Sequence, residues 1–263
     1  MATISVVINT LNAQRLLDEV LDSVKDADEI IICDMHSEDD TIEIAQRHKC
    51  KIFYHDRTGI VEPARNWAME QATGDWILIL DADEIVTPEL WKYLRQYADN
   101  PKKNRYACYI PRETYLLGKH VRSWRQSGIK RFWKRGNCHY TEEIHKMPVT
   151  HEGKDFWINK NGKLPNVALI HYHIPSLNHF GVRLNNYTDF ELKRFLMKNK
   201  KFKLSKLLFR PPYEFFKLYV MKGGYKDGIH GFVFAVIMAY YKFLQWAKLW
   251  EYEFVQKNKD LRY

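Results

Sequence analysis

"WILILDADEIV", residues 76–86, runs five apolar residues straight into Asp81, Asp83 and Glu84. A continuous apolar run bounded by a turn reads as a strand buried on both faces, which is the habit of parallel sheets. Gly74, just before it, reads as a helix stop. Carboxylates repel one another and are costly to desolvate, so three of them at the end of such a strand ask for a counter-charge.

Upstream, the same pattern repeats. "ISVVIN" (4–9), "EIIIC" (29–33) and "KIFYH" (51–55) read as strands. Between them, "AQRLLDEVLDSV" (13–24), "DDTIEIAQRH" (39–48) and "EPARNWAMEQA" (62–72) read as helices. The first places Leu16, Leu17, Val20, Leu21 and Val24 on one face, and the last has Pro63 where a missing N–H costs nothing. Alternating strands and helices imply parallel βαβ units with right-handed crossovers, an α/β fold with a mainly parallel, Rossmann-like central sheet flanked by helices. Ligands of such sheets bind beyond the carboxyl ends of the strands, which gathers Asn9–Asn12, Asp34 and Asp81–Asp83 on one rim. After residue 100 the pattern changes. "NRYACYIPRETYLLG", "GIKRFWKRG" and "PNVALIHYHI" (165–174) read as strands of a mixed extension, and helices rich in Lys and aromatics follow from Asn178. The domain reading is 1–175 catalytic, with halves 1–100 and 101–175, and 176–263 a basic helical extension.

Charge is divided along the chain. Residues 1–100 hold 9 Lys and Arg against 20 Asp and Glu, whereas residues 101–263 hold 32 against 12. An acidic half suits a metal, and a basic half suits phosphates or an anionic membrane surface. The four cysteines have no CxxC spacing, which argues against structural zinc and a disulfide framework and fits a reducing compartment. "MATISVVINT" has neither the basic start nor the long apolar stretch of a signal peptide.

Two motifs carry chemistry. In "CDMHSEDDT" (33–41), N-capping alone accounts for Ser37 or Asp39 but leaves Asp34, at a strand end, as an acceptor for a base N–H or ribose hydroxyls. Asp81-Ala82-Asp83 can converge on a hard cation, Mg²⁺ or Mn²⁺, with substrate phosphates as co-ligands; the plainer reading is a solvated turn with Glu84 entering the next helix. In "HYH", alternation puts His171 and His173 on one face.

Together, "SVVINTLNA", "IIICDMHSEDDT" and "ARNWAMEQATGDWILILDADE" resemble family-2 glycosyltransferases of the GT-A fold. "IKRFWKRG", "EEIH", "ALIHYHIPSLNHFGVRLNNYTDFE" and "GGYKDGIHGFVFAVIMAYYKF" resemble the branch of lipopolysaccharide-core glucosyltransferases, so the resemblance covers nearly the whole chain. It implies a metal-dependent, inverting transfer of a hexose from a UDP-sugar to a lipid-linked or lipopolysaccharide-core acceptor, on the cytoplasmic face of a membrane. It implies Thr10 and Asn12 beside the nucleotide, Asp34 on the base or ribose, and Arg65 near base and phosphates. Asp81 falls on the ribose or metal-bound phosphate, Asp83 is the direct metal ligand, and His171 is a candidate to complete the metal shell. The base must reach the acceptor hydroxyl. Where the branch reads Val-His-Glu this chain reads Ile144-His145-Lys146, which moves the expectation to Glu143, then Glu142, with His145 as base or ligand.

In the tail, "FVFAVIMAYYKFLQWAKLW" (232–250) has ten apolar residues before Lys242, too few for a span of about 20. Mixed Lys, Arg and aromatics suit a helix lying on an anionic bilayer, or apolar faces packed on the catalytic domain or a second subunit in an oligomer. A nucleotidyltransferase is the enzymatic rival, but "NTLNAQR" has no glycine for a phosphate loop. A basic membrane- or nucleic-acid-binding protein is the other, and the acidic first hundred residues repel a phosphate backbone.

Overall fold

The structure, a computed structural model, describes residues 1–57, 61–124, 126–141, 146–159, 163–174 and 176–258. In chain order its first elements are β1 (Ile4–Thr10), α1 (Leu17–Asp22), β2 (Glu29–Asp34), α2 (Thr41–Arg47), β3 (Lys51–Tyr54), α3 (Glu62–Glu70) and β4 (Trp76–Asp81). Then come β5 (Glu84–Val86), α4 (Pro88–Asp99), β6 (Ala107–Leu116), β7 (Lys119–His120), β8 (Gln126–Lys134), β9 (Cys138–His139), β10 (Val149–Thr150), β11 (Asp155–Trp157) and β12 (Leu169–Ile174). Helices α5 (Leu177–Met197), α6 (Leu204–Phe216) and α7 (Ile229–Lys257) close the described chain. Two compact units result: Met1–Glu113 with Gln126–His171, and Thr114–Arg125 with Tyr172–Tyr263.

The first unit is built on a sheet of order β3-β2-β1-β4-β8-β6-β12-β5. The pairs β3/β2, β2/β1 and β1/β4 are parallel; β4/β8, β8/β6 and β12/β5 are antiparallel. The run of parallel pairs therefore ends at β4, and beyond it the short β11 pairs parallel with β6. Strand alternation sorts the core into two layers. Ile4, Val6, Ile8, Leu78 and Leu80 face α1, α2 and α4, against Leu17, Val20, Leu21, Ile44, Leu90 and Leu94. Val7, Ile31, Ile77, Ile79 and Trp133 face α3, against Ala68, Met69 and Ala72. The sheet is thus covered on both faces, as its apolar strands require.

Local chemistry adjusts the expected boundaries. The first helix begins at Leu17 and not at residue 13, because the loop after β2 takes the backbone upstream of it. Asn12 N–H donates to Ser37 Oγ (2.8 Å), Ala13 N–H to Thr41 Oγ1 (2.8 Å) and Gln14 N–H to Asp39 Oδ2 (3.2 Å). Gly74 is not a helix cap: α3 already ends at Glu70. Its N–H donates to Ser5 Oγ (2.8 Å), and a Cβ there would lie 2.7 Å from the same oxygen, so close approach to β1 demands glycine. Glu84 is not at a helix entry. It belongs to β5, and α4 is capped by Thr87, whose side chain accepts from Leu90 N–H.

The second unit has its own core, with Leu116, Val121, Phe180, Leu184, Leu218, Phe234 and Ala235 buried together. Gly223 and Gly228 take left-handed φ values of 75° and 63° in the turn between α6 and α7. No helix among the described residues is long and apolar enough to cross a membrane.

Candidate active site

Strand register sets the rim. Thr10 lies opposite Asp34 across β1/β2, and Asn9 lies opposite Asp81 across β1/β4. The parity that sorts the core also sorts these residues. Asp34 is in phase with Ile32, and Asp81 with Ile77 and Ile79, so Asp81 is on the α3 face.

Asp34 is fully buried and organises the loops. Its Oδ1 accepts from Thr10 Oγ1 (2.7 Å) and Ser37 Oγ (2.6 Å), and its Oδ2 accepts from Ser37 N–H (2.8 Å). Asn12, at φ 50°, accepts from Glu38 N–H through Oδ1 (2.8 Å). Thr10, Asn12, Asp34 and Ser37 thus form one connected rim. Asn9, between this group and Asp81, has both carboxamide atoms buried without a hydrogen-bond partner among the described residues beyond the Cys33 thiol beside it. Orphaned polar atoms at a strand end are where a polar ligand would bond.

Asp81 sits in a network of arginines. Arg65, from α3, donates to Oδ1, and Arg131, from β8, donates to Oδ2. Arg131 also donates to Glu84 Oε1 (3.2 Å), which accepts from Arg112 of β6 as well (2.9 Å). Glu84 Oε2 accepts the N–H of Asp81 itself (3.1 Å). Burial alone would raise the Asp81 pKa, but Arg131, then Arg65 and Arg112, hold its carboxyl far below the usual carboxylate range. Glu84 is fully buried and Arg131 nearly so, which is tolerable only because each is paired. Each of Arg65, Arg112 and Arg131 retains a buried Nε–H with no acceptor among the described residues. Arg65 also lies over the Tyr140 ring, 5.2 Å from its centroid. The neighbouring Asn66 clamps the Tyr140 backbone, donating to its carbonyl and accepting its N–H, both at 2.8 Å.

Asp83 meets His171. Antiparallel pairing of β5 with β12 sets His171 opposite Glu84, and His171 Nε2 lies 3.4 Å from Asp83 Oδ1. Among the described residues no three His, Cys, Asp or Glu side chains are grouped to hold a metal. One carboxylate and one imidazole suit a cation that completes its shell with phosphate oxygens and water, as Mg²⁺ and Mn²⁺ do. Both Asp81 oxygens are occupied by guanidinium groups, so the arrangement separates the two acids of the D-x-D. Glu142, Glu143 and His145 lie outside the described residues, as does the side chain of His173. A cavity of about 320 Å³ lined by Asn66, Glu70, Trp133 and Arg135 also reaches Ile77, at the opposite end of β4 from the rim.

Arg112, Arg131 and the buried role of Glu84 were not visible as site features in the sequence. The signal was present in "GIKRFW": cations inside a central strand require buried acids. Which acids they meet depends on register.

An acidic, arginine-braced rim at the carboxyl ends of parallel strands is placed where α/β sheets bind their ligands. Residues 5–157 match the model of glycosyl transferase family 2, and the chain belongs to that family. An uncharacterised glycosyltransferase of Rickettsia conorii is 27% identical over 97% of this chain and 92% of its own length. The lipopolysaccharide core biosynthesis glycosyltransferase LpsC of Rhizobium meliloti is 25% identical over 94% of this chain and 92% of its own. Among solved structures, glucosyl-3-phosphoglycerate synthase from Mycobacterium tuberculosis with Mn²⁺, UDP and glucosyl-3-phosphoglycerate is 19% identical, at a TM-score of 0.39 over 51% of this chain and 57% of that one.

Proposed function

We propose that this enzyme transfers a hexose, most simply glucose, from a UDP-sugar to a lipid-linked or lipopolysaccharide-core glycan at the inner face of a membrane, with inversion. The observation that carries the reading is the meeting of Asp83 with His171 beside an Asp81 held by two arginines. Similarity to LpsC along almost the whole chain supports the acceptor class.

Asp83 and His171 would hold Mn²⁺ or Mg²⁺, which would neutralise charge on the departing diphosphate. Charge balance favours a diphosphate here. Arg65, Arg112 and Arg131 outnumber the two carboxylates they pair with, Asp81 and Glu84, which leaves one positive charge for an anionic ligand. Thr10, Asn12 and Asp34 shape the nucleoside side, and Asn9 offers one donor and one acceptor to base or ribose. Arg65 and Arg131 fix the Asp81 carboxylate towards the ribose and phosphates. The acceptor hydroxyl attacks the anomeric carbon as its proton passes to a base, assigned to Glu143 with Glu142 and His145 as alternatives. The C–O bond to the diphosphate breaks on the opposite face.

Asp83→Asn tests the reading. Transfer of radiolabel from UDP-glucose should disappear, and calorimetric UDP binding should lose its dependence on Mn²⁺. Undiminished transfer by that variant, or by the wild-type enzyme in excess chelator, would refute the metal role.

A further inference from the structure

Residues 198–226 carry nine Lys and Arg and a single acid, Glu214. Glu214 is buried and paired with Lys217 (3.0 Å), so the segment presents an almost purely cationic surface. At 3.6 residues per turn, α6 divides cleanly. Leu207, Pro211, Glu214 and Phe215 turn inward, buried or half-buried. Leu208, Phe209, Pro212, Tyr213 and Phe216 occupy an arc of about 140° on the opposite side, all exposed, Phe209 at 70%. Lys206, Arg210 and Lys217 line one edge of that arc. The turn that follows continues the theme, with exposed Met221, Tyr225 and Ile229 interspersed with Lys222 and Lys226.

We propose that this outward face of α6, with the 221–229 turn, is the surface by which the protein docks on an anionic bilayer; the inference rests on the membrane placement proposed above and names the residues that make it. A helix with this geometry is inverted relative to a soluble one: its apolar stripe is on the outside and its cations flank it. Single exposed apolar residues are ordinary, but a contiguous aromatic face is an interaction site. Charge decides the occupant. A second copy docking symmetrically would bring two Lys206–Arg210–Lys217 edges together, and like charges oppose that. Phosphatidylglycerol-type headgroups are complementary to the same edge. The prolines set the depth. Pro211 and Pro212 have no N–H to give to the carbonyls of Leu207 and Leu208, and a carbonyl left over needs water or a headgroup donor. The helix therefore lies at headgroup level with its rings reaching into the acyl boundary.

The test is co-sedimentation of the full chain with vesicles of pure phosphatidylcholine and of phosphatidylcholine with 30% phosphatidylglycerol. Wild-type protein should bind the anionic vesicles and release them in high salt. Phe209→Glu/Phe216→Glu should weaken that binding by roughly 100-fold or more, and Lys206→Glu/Arg210→Glu by at least about 25-fold. Both pairs are surface changes on one helix, so thermal unfolding and UDP binding should match wild type. If wild-type protein ignores anionic vesicles, the membrane reading and this surface fall together. If it binds and neither variant is weakened, the membrane reading survives and this surface is wrong. A wild-type dimer that the Phe209→Glu/Phe216→Glu variant makes monomeric, without vesicle binding, assigns the face to a second copy and overturns the proposal.

Discussion

Replacing Glu84 by Gln exchanges one oxygen for an NH₂ and leaves the volume unchanged, yet the site has no room for that exchange. Glu84 uses one oxygen for the guanidinium groups of Arg112 and Arg131 and the other for the N–H of Asp81. Both ends face donors. A glutamine can turn its oxygen to only one of them, so its NH₂ must confront a donor whichever way it lies. The charge of three arginines would then be opposed at this point by Asp81 alone. Removing one partner of a buried ion pair costs about 3–5 kcal/mol. At roughly 2–4 °C per kcal/mol for a unit of this size, the melting temperature should fall by about 10 °C. Scanning calorimetry of wild type and variant at neutral pH measures it. The double variant Glu84→Gln/Arg112→Met removes one cation with the carboxylate and should be less destabilised than the two single changes added, by about 1–3 kcal/mol. A fall of less than 2 °C for Glu84→Gln, or strict additivity in the cycle, would refute the claim that this carboxylate holds the arginines together.

Other consequences are separable. His171→Ala should weaken Mn²⁺-dependent UDP binding by about 10- to 100-fold while leaving metal-free UDP binding alone, read by calorimetry with and without the ion. Glu143→Gln should cut turnover by about 10²-fold or more with little change in donor affinity; near-normal turnover moves the base to Glu142 or His145. Glu29 offers a pH test. Burial would raise its pKa, but Lys51, Ser5 and Thr73 bring it from 4.5 down to about 2. A carboxyl lowered in the folded state contributes fully above the unfolded value and loses that contribution as pH falls from about 4.5 towards 2. The contribution is at most about 3 kcal/mol, less whatever solvent screening of the exposed Lys51 removes. Urea unfolding of wild type and Glu29→Gln at pH 7 and pH 3 should show the gap between them narrowing at the lower pH.

Much of this protein is legible without coordinates. Apolar runs with β-branched residues marked β1, β2 and β4, because a strand covered on both faces has no polar side to show. Strand–helix alternation then placed Thr10, Asn12, Asp34 and Asp81–Asp83 on one rim, since parallel strands point their carboxyl ends the same way. Local periodicity was less reliable at boundaries. The helix expected from residue 13 starts at Leu17 because side chains 25–28 residues away claim the N–H groups of Asn12–Gln14.

What only the tertiary structure decided is how the charges pair. Arg65, Arg112 and Arg131 come from a helix and two strands spread over 66 residues, and no local pattern says that all three converge on Asp81 and Glu84. His171 reaches Asp83 because β5 pairs with β12, which lies 83 residues further along the chain at its start. Propensity and periodicity report on neighbours in sequence. Buried ion pairs are set by register between distant strands, where a slip of one residue would turn every one of these side chains to the other face.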